Sequence, residues 1–155
     1  MENLERILAE HPFFKGMNAR YIALMAGCAS NVAFKAGELI FKEGDSADVF
    51  YFIRQGKVQV EVNVPQKGAL VLHTRREGDV FGWSWLLPPY RWHFDAHATE
   101  VTRALAIDGK CLREKCEEDH DLGYELMKRF IMIVTERLEA TRLQLLDVYG
   151  NVSKK

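Results

Sequence analysis

The chain has 155 residues, with 21 Lys and Arg against 22 Asp and Glu, so its formal net charge is −1. That length suits one domain, and the balanced charge offers no bulk attraction to nucleic acid or to an anionic membrane, so we expect neither as a partner. Hydrophobic residues make up 48% and charged residues 28%, which is typical of a globular chain with one core rather than a disordered one.

Residues 1–31 are predicted to form a helical segment. Leu4, Ile7 and Leu8 have the spacing of one helical face, and this helix should end at His11 because proline follows it. Asn18 is the predicted N-cap of a second helix. The N-terminus is charged from its second residue and lacks the apolar run of a signal peptide, so we expect a cytoplasmic protein.

The three cysteines are Cys28, Cys111 and Cys116. Their number is odd, and no two of them have the two-residue gap common in zinc and redox sites. Cys111 and Cys116 lie five positions apart on a predicted helix and are expected to pack as small hydrophobic side chains. The cysteines therefore predict a reducing compartment.

Residues 32–107 read as short strands. They are rich in β-branched and aromatic residues, interrupted by glycines, and residues 58–64 alternate strictly between apolar and polar. The turn at 65–68 should return the chain as an antiparallel strand. Short strands at this spacing predict a closed or two-sheet β architecture.

Residues 108–150 are predicted to be helical, with Asp108 capping a short helix and Asp119 and Asp121 at the start of a long one. Along the long helix, apolar residues recur at alternating steps of three and four, typical of a coiled-coil seam. The seam comprises Tyr124, Met127, Ile131, Val134, Leu138, Thr141, Leu145 and Val148. A shorter stripe comprises Leu122, Leu126, Phe130 and Ile133.

We expect the shorter stripe to dock the long helix on the β-domain and the seam to meet a partner helix in a homodimer. Burial of both stripes within one monomer is the alternative. Residues 151–155 read as a loose tail.

Residues 34–45 and 50–60 together closely resemble the first half of a cyclic-nucleotide-binding domain. The resemblance rests on the spacing of Gly37, Gly44 and Gly56, with aromatic and aliphatic residues between them. It implies a mainly β fold: a jelly-roll or double-stranded β-helix roll with N-terminal helices, a long C-terminal helix and a ligand pocket inside the roll.

The resemblance also implies a phosphate-binding segment at 78–98. Family members that bind cyclic nucleotides begin it with Phe-Gly-Glu, whose Glu accepts from the ribose hydroxyl, and end it with an Arg that pairs with the phosphate. Here Phe81 and Gly82 match. Trp83 stands at the Glu position and Trp92 at the Arg position, with Arg91 one position early. Ordinary binding of cAMP or cGMP is therefore doubtful, and we expect no other cofactor.

Two interpretations of the clustered indoles remain open. They could line a remodelled pocket for a flat or apolar ligand, or they could fill the vacated pocket as core. We favour filling, because clustered aromatic side chains more often pack on one another. The candidate ligand-binding residues are Phe81, Gly82, Trp83, Ser84, Trp85, Arg91 and Trp92. A genuine cAMP or cGMP module that uses Arg91 as its cation is the alternative.

A second alternative is a cupin-like metal-dependent enzyme. His93, Asp95 and His97 alternate along a predicted strand and could share one face. The resemblance instead puts Phe94, Ala96 and Ala98 toward the core and the histidines outward. Arg75 and Arg76 are read as a solvated strand end.

The sequence thus predicts a non-enzymatic regulatory or sensor domain that acts as a homodimer, with a protein effector as a further partner. Transcription factors of the resembled family continue from the long helix into a helix-turn-helix domain. Only six residues follow Tyr149 here, so we expect no such domain in this chain.

Overall fold

The computed structural model describes residues 3–82 and 84–153. The chain forms two compact units, one reaching to Glu118 and the other beginning at Asp119. The first unit opens with α1 (Leu4–Glu10), a 3₁₀ turn (Pro12–Phe14) and α2 (Ala19–Ala26). The Arg20 N–H donates to Asn18 Oδ1 at 2.8 Å, so Asn18 caps α2 as predicted.

The described residues contain eight strands: β1 (Ala29–Phe34), β2 (Leu39–Phe41), β3 (Val49–Gln55), β4 (Lys57–Val64), β5 (Gly68–Arg76), β6 (Val80–Phe81), β7 (Asp95–Ala98) and β8 (Thr102–Asp108). They form two antiparallel four-stranded sheets, ordered β1-β8-β3-β6 and β2-β7-β4-β5. This confirms the predicted two-sheet β-roll, with helices before the first strand and after the last strand in the chain.

The turn from β3 to β4 depends on Gly56. Its φ is +111°, and a Cβ there would lie 2.5 Å from Thr102 Oγ1. Only glycine combines that backbone angle with so close an approach of the neighbouring strand. The predicted glycine punctuation is therefore a steric requirement at this turn.

Strands β4 and β5 form the predicted hairpin, and β5 is an edge strand of its sheet. Val58 and Val60 are buried along β4, as the alternation indicates. The register breaks in the middle of the hairpin, since Val60 pairs with His73 whereas Glu61 pairs with Val71. Leu72 is the extra residue, which makes the break a β-bulge on the edge strand.

The last two helices are α3 (Gly109–Glu118), in the first unit, and α4 (His120–Ser153), in the second. The Cys111 N–H donates to Asp108 Oδ1 at 3.1 Å, so the predicted cap forms. The Leu122 N–H donates to Asp119 Oδ1 at 3.2 Å, so Asp119, predicted as a negative charge at the start of the long helix, also caps it. On α4, Leu122, Leu126 and Phe130 are buried, and the seam residues are exposed.

The cysteine prediction was wrong for Cys111. Its sulfur forms a disulfide with that of Cys28, with the two Cα atoms 5.8 Å apart. Cys28 follows α2, and Cys111 lies in the first turn of α3, so 83 positions separate them. Spacing rules detect cysteines that are close in sequence, whereas this pair is brought together by the fold.

Within the described residues, no helix combines the length and the apolar character that crossing a membrane requires.

Candidate functional site

The candidate site is the cassette segment, residues 82–94, which joins β6 in one sheet to β7 in the other. Of the predicted site residues, Phe81, Gly82, Ser84, Trp85 and Trp92 are buried. Arg91 is exposed. Trp83 lies outside the described residues, so its predicted place in the pocket stays a prediction.

Trp92 is packed inside the roll. Its ring stacks on Phe41 with 3.7 Å between centroids and 7° between planes, and only 4% of the residue is exposed. It belongs to a buried cluster made of Phe41, Ala47, Ile53, Val58, Val60, Phe81, Trp92 and Ala96. The position where the resemblance places a phosphate-binding Arg therefore carries a core side chain.

Gly82 makes room for that indole. Its φ is +92°, and a Cβ at this position would lie 2.5 Å from Trp92 Cη2. Two hydrogen bonds hold the backbone of Trp92. The Gly44 N–H donates to the Trp92 carbonyl at 2.9 Å, and the Trp92 N–H donates to the Asp45 carbonyl at 3.0 Å. Trp92 is thus fixed at both its ring and its backbone.

Trp85 is also buried, in a different group of rings. It stacks on Phe50 with 4.6 Å between centroids and 7° between planes, and Phe50 packs edge-on against Phe52 at 5.2 Å. Phe50 and Phe52 alternate with Tyr51 and Ile53, which pack with the Trp92 cluster. The two indoles therefore anchor the cassette segment on opposite faces of β3.

The Arg91 side chain lies at the surface, where it is hydrogen-bonded to the backbone. Its Nη1 donates to the Gly44 carbonyl at 2.9 Å, and its backbone forms an isolated bridge with Ser46. The guanidinium is exposed, one position from the buried Trp92. Adjacent residues in extended backbone point to opposite sides, which accounts for the difference.

Arg113 on α3 is a contact that the sequence did not reveal. Its Nη1 donates to the Trp85 carbonyl at 2.6 Å, and its guanidinium lies 4.2 Å from the centroid of the Tyr90 ring. Nη2 is 3.7 Å from an Asp48 carboxylate oxygen. Arg113 therefore holds the cassette segment to α3, and no local motif marks a contact across 28 residues.

Of the three residues of the metal alternative, His93 is exposed, and Asp95 and His97 make contacts within the roll. Asp95 accepts from the Glu43 N–H at 2.7 Å and from the Asn63 amide at 3.2 Å. His97 Nδ1 lies 3.0 Å from a Glu61 carboxylate oxygen. In the described part of the chain, no three His, Cys, Asp or Glu side chains gather as a metal site. Ala96 and Ala98 are fully buried, as the resemblance implied.

Arg75 departs from the solvated strand end that the sequence indicated. It pairs with the buried Val58 across the hairpin and is itself partly buried. Burial lowers the pKa of its guanidinium, and the nearby Asp79 charge opposes that shift. Arg76 is exposed, as predicted.

His11 is a buried polar residue in the same unit. Its Nδ1 accepts from the Phe13 N–H at 3.2 Å, and its ring packs edge-on against Phe52 at 5.2 Å. Burial lowers the pKa of this imidazole, with the Ile53 carbonyl and the Asp79 charge opposing. His11 is therefore a packed structural residue.

Comparison with known proteins supports the fold and places the chain in a family. The chain matches the family model for the cyclic nucleotide-binding domain over residues 31–119. It is 26% identical over 157 residues to the CRP-like cAMP-activated global transcriptional regulator of Mycobacterium tuberculosis, across 98% of this chain and 68% of the regulator.

Two solved structures share the fold. A Geobacter metallireducens protein provisionally assigned as cyclic nucleotide-binding has a TM-score of 0.78 and 29% identity, covering 89% of this chain and 99% of its own. A cyclic nucleotide-binding domain from Methylobacillus flagellatus has a TM-score of 0.78 at 17% identity, covering 93% of this chain and 81% of its own. With the family model matched over more than half of its length, the chain belongs to the cyclic nucleotide-binding domain family.

Proposed function

We propose that this chain is a non-enzymatic regulatory domain that does not bind cAMP or cGMP in the manner of its family. The observation that carries the proposal is the packing of Trp92, stacked on Phe41 and 4% exposed. A ligand phosphate at this position would have to displace a buried indole and would meet no cation there. The filled-core interpretation of the indoles therefore has the better support.

Charge supports the same conclusion. The sequence has neither the acidic nor the basic residue that contacts the ligand in the family motif. Arg91 is exposed and donates to the Gly44 carbonyl. Each lost charge-assisted hydrogen bond costs about 1.5–3 kcal/mol, and every 1.4 kcal/mol is tenfold in affinity. Losing both weakens the expected binding by at least a hundredfold.

A regulatory role is favoured over a catalytic one. Asp95 and His97, proposed as metal ligands in the alternative, are paired with protein groups within the roll. Such a domain acts by presenting a surface to a separate effector protein, and that effector is part of the proposal.

The exposed seam of α4 supports a homodimer. Tyr124 is 66% exposed, Ile131 57%, Leu138 59% and Leu145 53%, and all lie at coiled-coil spacing. Water-exposed apolar residues in so regular a row are typical of a helix that pairs with a second copy of itself. We therefore include a dimer through this seam in the proposed function.

The ligand test is calorimetric titration of cAMP and of cGMP, each with parallel Trp fluorescence. We expect no saturable binding up to about 1 mM, where a bound ligand gains only about 4 kcal/mol. Arg91→Ala serves as the matched variant, because it removes an exposed cation beside the buried Trp92.

Saturable micromolar binding contradicts the proposal in either of two ways. If binding disappears in Arg91→Ala, the domain is a genuine cyclic nucleotide module that uses Arg91. If binding survives in that variant, the indole cluster itself forms the pocket.

The dimer test is sedimentation at micromolar concentration. We expect a species of twice the 17.8 kDa chain mass. Leu138→Glu places a charge on the seam and should give monomer, whereas Leu143→Glu, on another face and 65% exposed, should leave the dimer intact. A wild-type species of 17.8 kDa alone contradicts the dimer.

A further inference from the structure

The Cys28–Cys111 disulfide ties α3 to the start of β1. Asp108 lies between the two segments, with its N–H donating to the Cys28 carbonyl at 2.9 Å and its carboxylate accepting from the Cys111 N–H. The Cα separation of 5.8 Å is typical of a disulfide in proteins. The bond therefore closes a junction that hydrogen bonds already align.

The opposite side of α3 holds the cassette segment. Arg113 donates to the Trp85 carbonyl at 2.6 Å and covers the Tyr90 ring, and the Gly109 N–H donates to the Asp48 carbonyl at 2.7 Å. The helix is thus attached covalently on one side and through hydrogen bonds on the other. Only Asp119 separates α3 from α4 in the chain.

The position of Cys111 favours a bond that can be reduced. Cys111 is partly exposed, whereas Cys28 is buried at 8%. Cys111 is the third residue of a ten-residue helix. A thiolate near a helix N-terminus is stabilised by the backbone N–H groups, and stabilising the reduced form makes a disulfide easier to reduce.

We propose that the Cys28–Cys111 disulfide is a reversible redox switch that fixes α3, and through Arg113 the cassette segment, when oxidised. The co-reactant is a low-molecular-weight thiol such as glutathione. Its thiolate attacks the sulfur of the partly exposed Cys111, forming a mixed disulfide as the bond to Cys28 breaks and leaves a Cys28 thiolate. A second thiol then releases Cys111 and yields the small disulfide, so two electrons pass to the protein and two thiols are oxidised.

In the reduced state α3 is held by its non-covalent contacts alone. Its amides and those of the cassette segment should then open more often, because a covalent restraint on local opening is gone. The switch is independent of whether the roll interior binds a ligand, since neither cysteine belongs to the Trp92 cluster.

The first measurement is a thiol count on the full-length Cys116→Ser chain, unfolded in denaturant after treatment in its native state. We expect no reactive thiol after excess oxidised glutathione and two after excess reduced glutathione. Two thiols after the oxidising treatment, or none after the reducing treatment, overturn the proposal.

The second measurement is hydrogen exchange by mass spectrometry on the wild-type chain in both redox states. Reduction should speed exchange in residues 109–118 and 84–92 by about tenfold and leave the β4–β5 hairpin unchanged. Cys28→Ala should exchange like the reduced chain in residues 109–118, and oxidised glutathione should not restore the slow exchange because the Cys28–Cys111 bond cannot form. Equal exchange of α3 in the two states shows a purely structural disulfide and rejects the switch.

Discussion

The two halves of the β-roll have kept different parts of the family pattern. Residues 34–60 retain the glycine turns and the alternating strands, and the backbone angle at Gly56 shows why that turn admits only glycine. The cassette segment, residues 82–94, retains Gly82 but carries indoles at the positions of both charged contacts. The glycines at the turns and the charged residues at the ligand positions are separate sets, and in this sequence only the first set matches the family pattern.

The largest expected effect tests whether the cassette indole has become core. Trp92→Ala removes the ring stacked on Phe41 and should lower the free energy of unfolding by about 3–5 kcal/mol, because a large buried ring leaves a cavity. Urea denaturation measures the difference. Arg91→Ala, the neighbouring exposed position, should change it by less than about 0.5 kcal/mol. If Trp92→Ala and Arg91→Ala lower the free energy of unfolding equally, the burial assigned to Trp92 is wrong.

The next effect tests the half that retains the family turns. Gly56→Ala adds a Cβ 2.5 Å from Thr102 Oγ1 at a φ of +111°, so strain and overlap should cost about 2–4 kcal/mol in the same denaturation experiment. Gly68→Ala is the control, because its φ is +80° with no atom within 4 Å of an added Cβ. Its cost should be about 1–2 kcal/mol.

A smaller effect tests whether Arg113 on α3 holds the cassette segment in place. Arg113→Met keeps much of the side-chain length but removes the donor to the Trp85 carbonyl and the cation over Tyr90. We expect a loss of about 1–2 kcal/mol in thermal or urea unfolding, because this guanidinium is only partly shielded from water. Lys110→Met, exposed on the same helix, should leave stability unchanged. A loss of similar size there means that helix charge matters rather than the contact.

The smallest effect concerns pH. Burial lowers the pKa of His11 below its ordinary value near 6.5, so the unfolded chain takes up a proton first as the pH falls. The stability contributed by neutral His11 is fully present above about pH 6.5 and is lost as the pH falls toward the lowered pKa. His11→Asn keeps an acceptor for the Phe13 N–H and does not titrate, so its unfolding midpoint should fall less between pH 7 and pH 5. If His11→Asn leaves the pH dependence of the midpoint unchanged, the loss of stability at low pH comes from other groups.

Features governed by neighbours in sequence could be predicted. The caps at Asn18 and Asp108, the turn after β4 and the burial of Val58 and Val60 follow from local patterns. The spacing of the glycines also allowed the fold to be predicted, because each glycine lies in a turn between successive strands.

Features that depend on distant neighbours could not be predicted. The sequence left open whether Trp92 lines or fills the pocket, since the answer depends on Phe41, which lies 51 positions earlier. The Cys28–Cys111 bond and the Arg113 contact also join segments remote in sequence. Arg75 was misread because its burial depends on the face that Val58 occupies across the hairpin.

The bulge at Leu72 has a consequence for solubility. Strand β5 forms one edge of its sheet and presents exposed Leu70 and Val71, which makes it a template for pairing with a strand of another molecule. The bulge increases the local twist and interrupts the regular row of backbone donors and acceptors. An incoming strand cannot stay in register along the whole edge, and the irregular hairpin thereby protects the roll against aggregation.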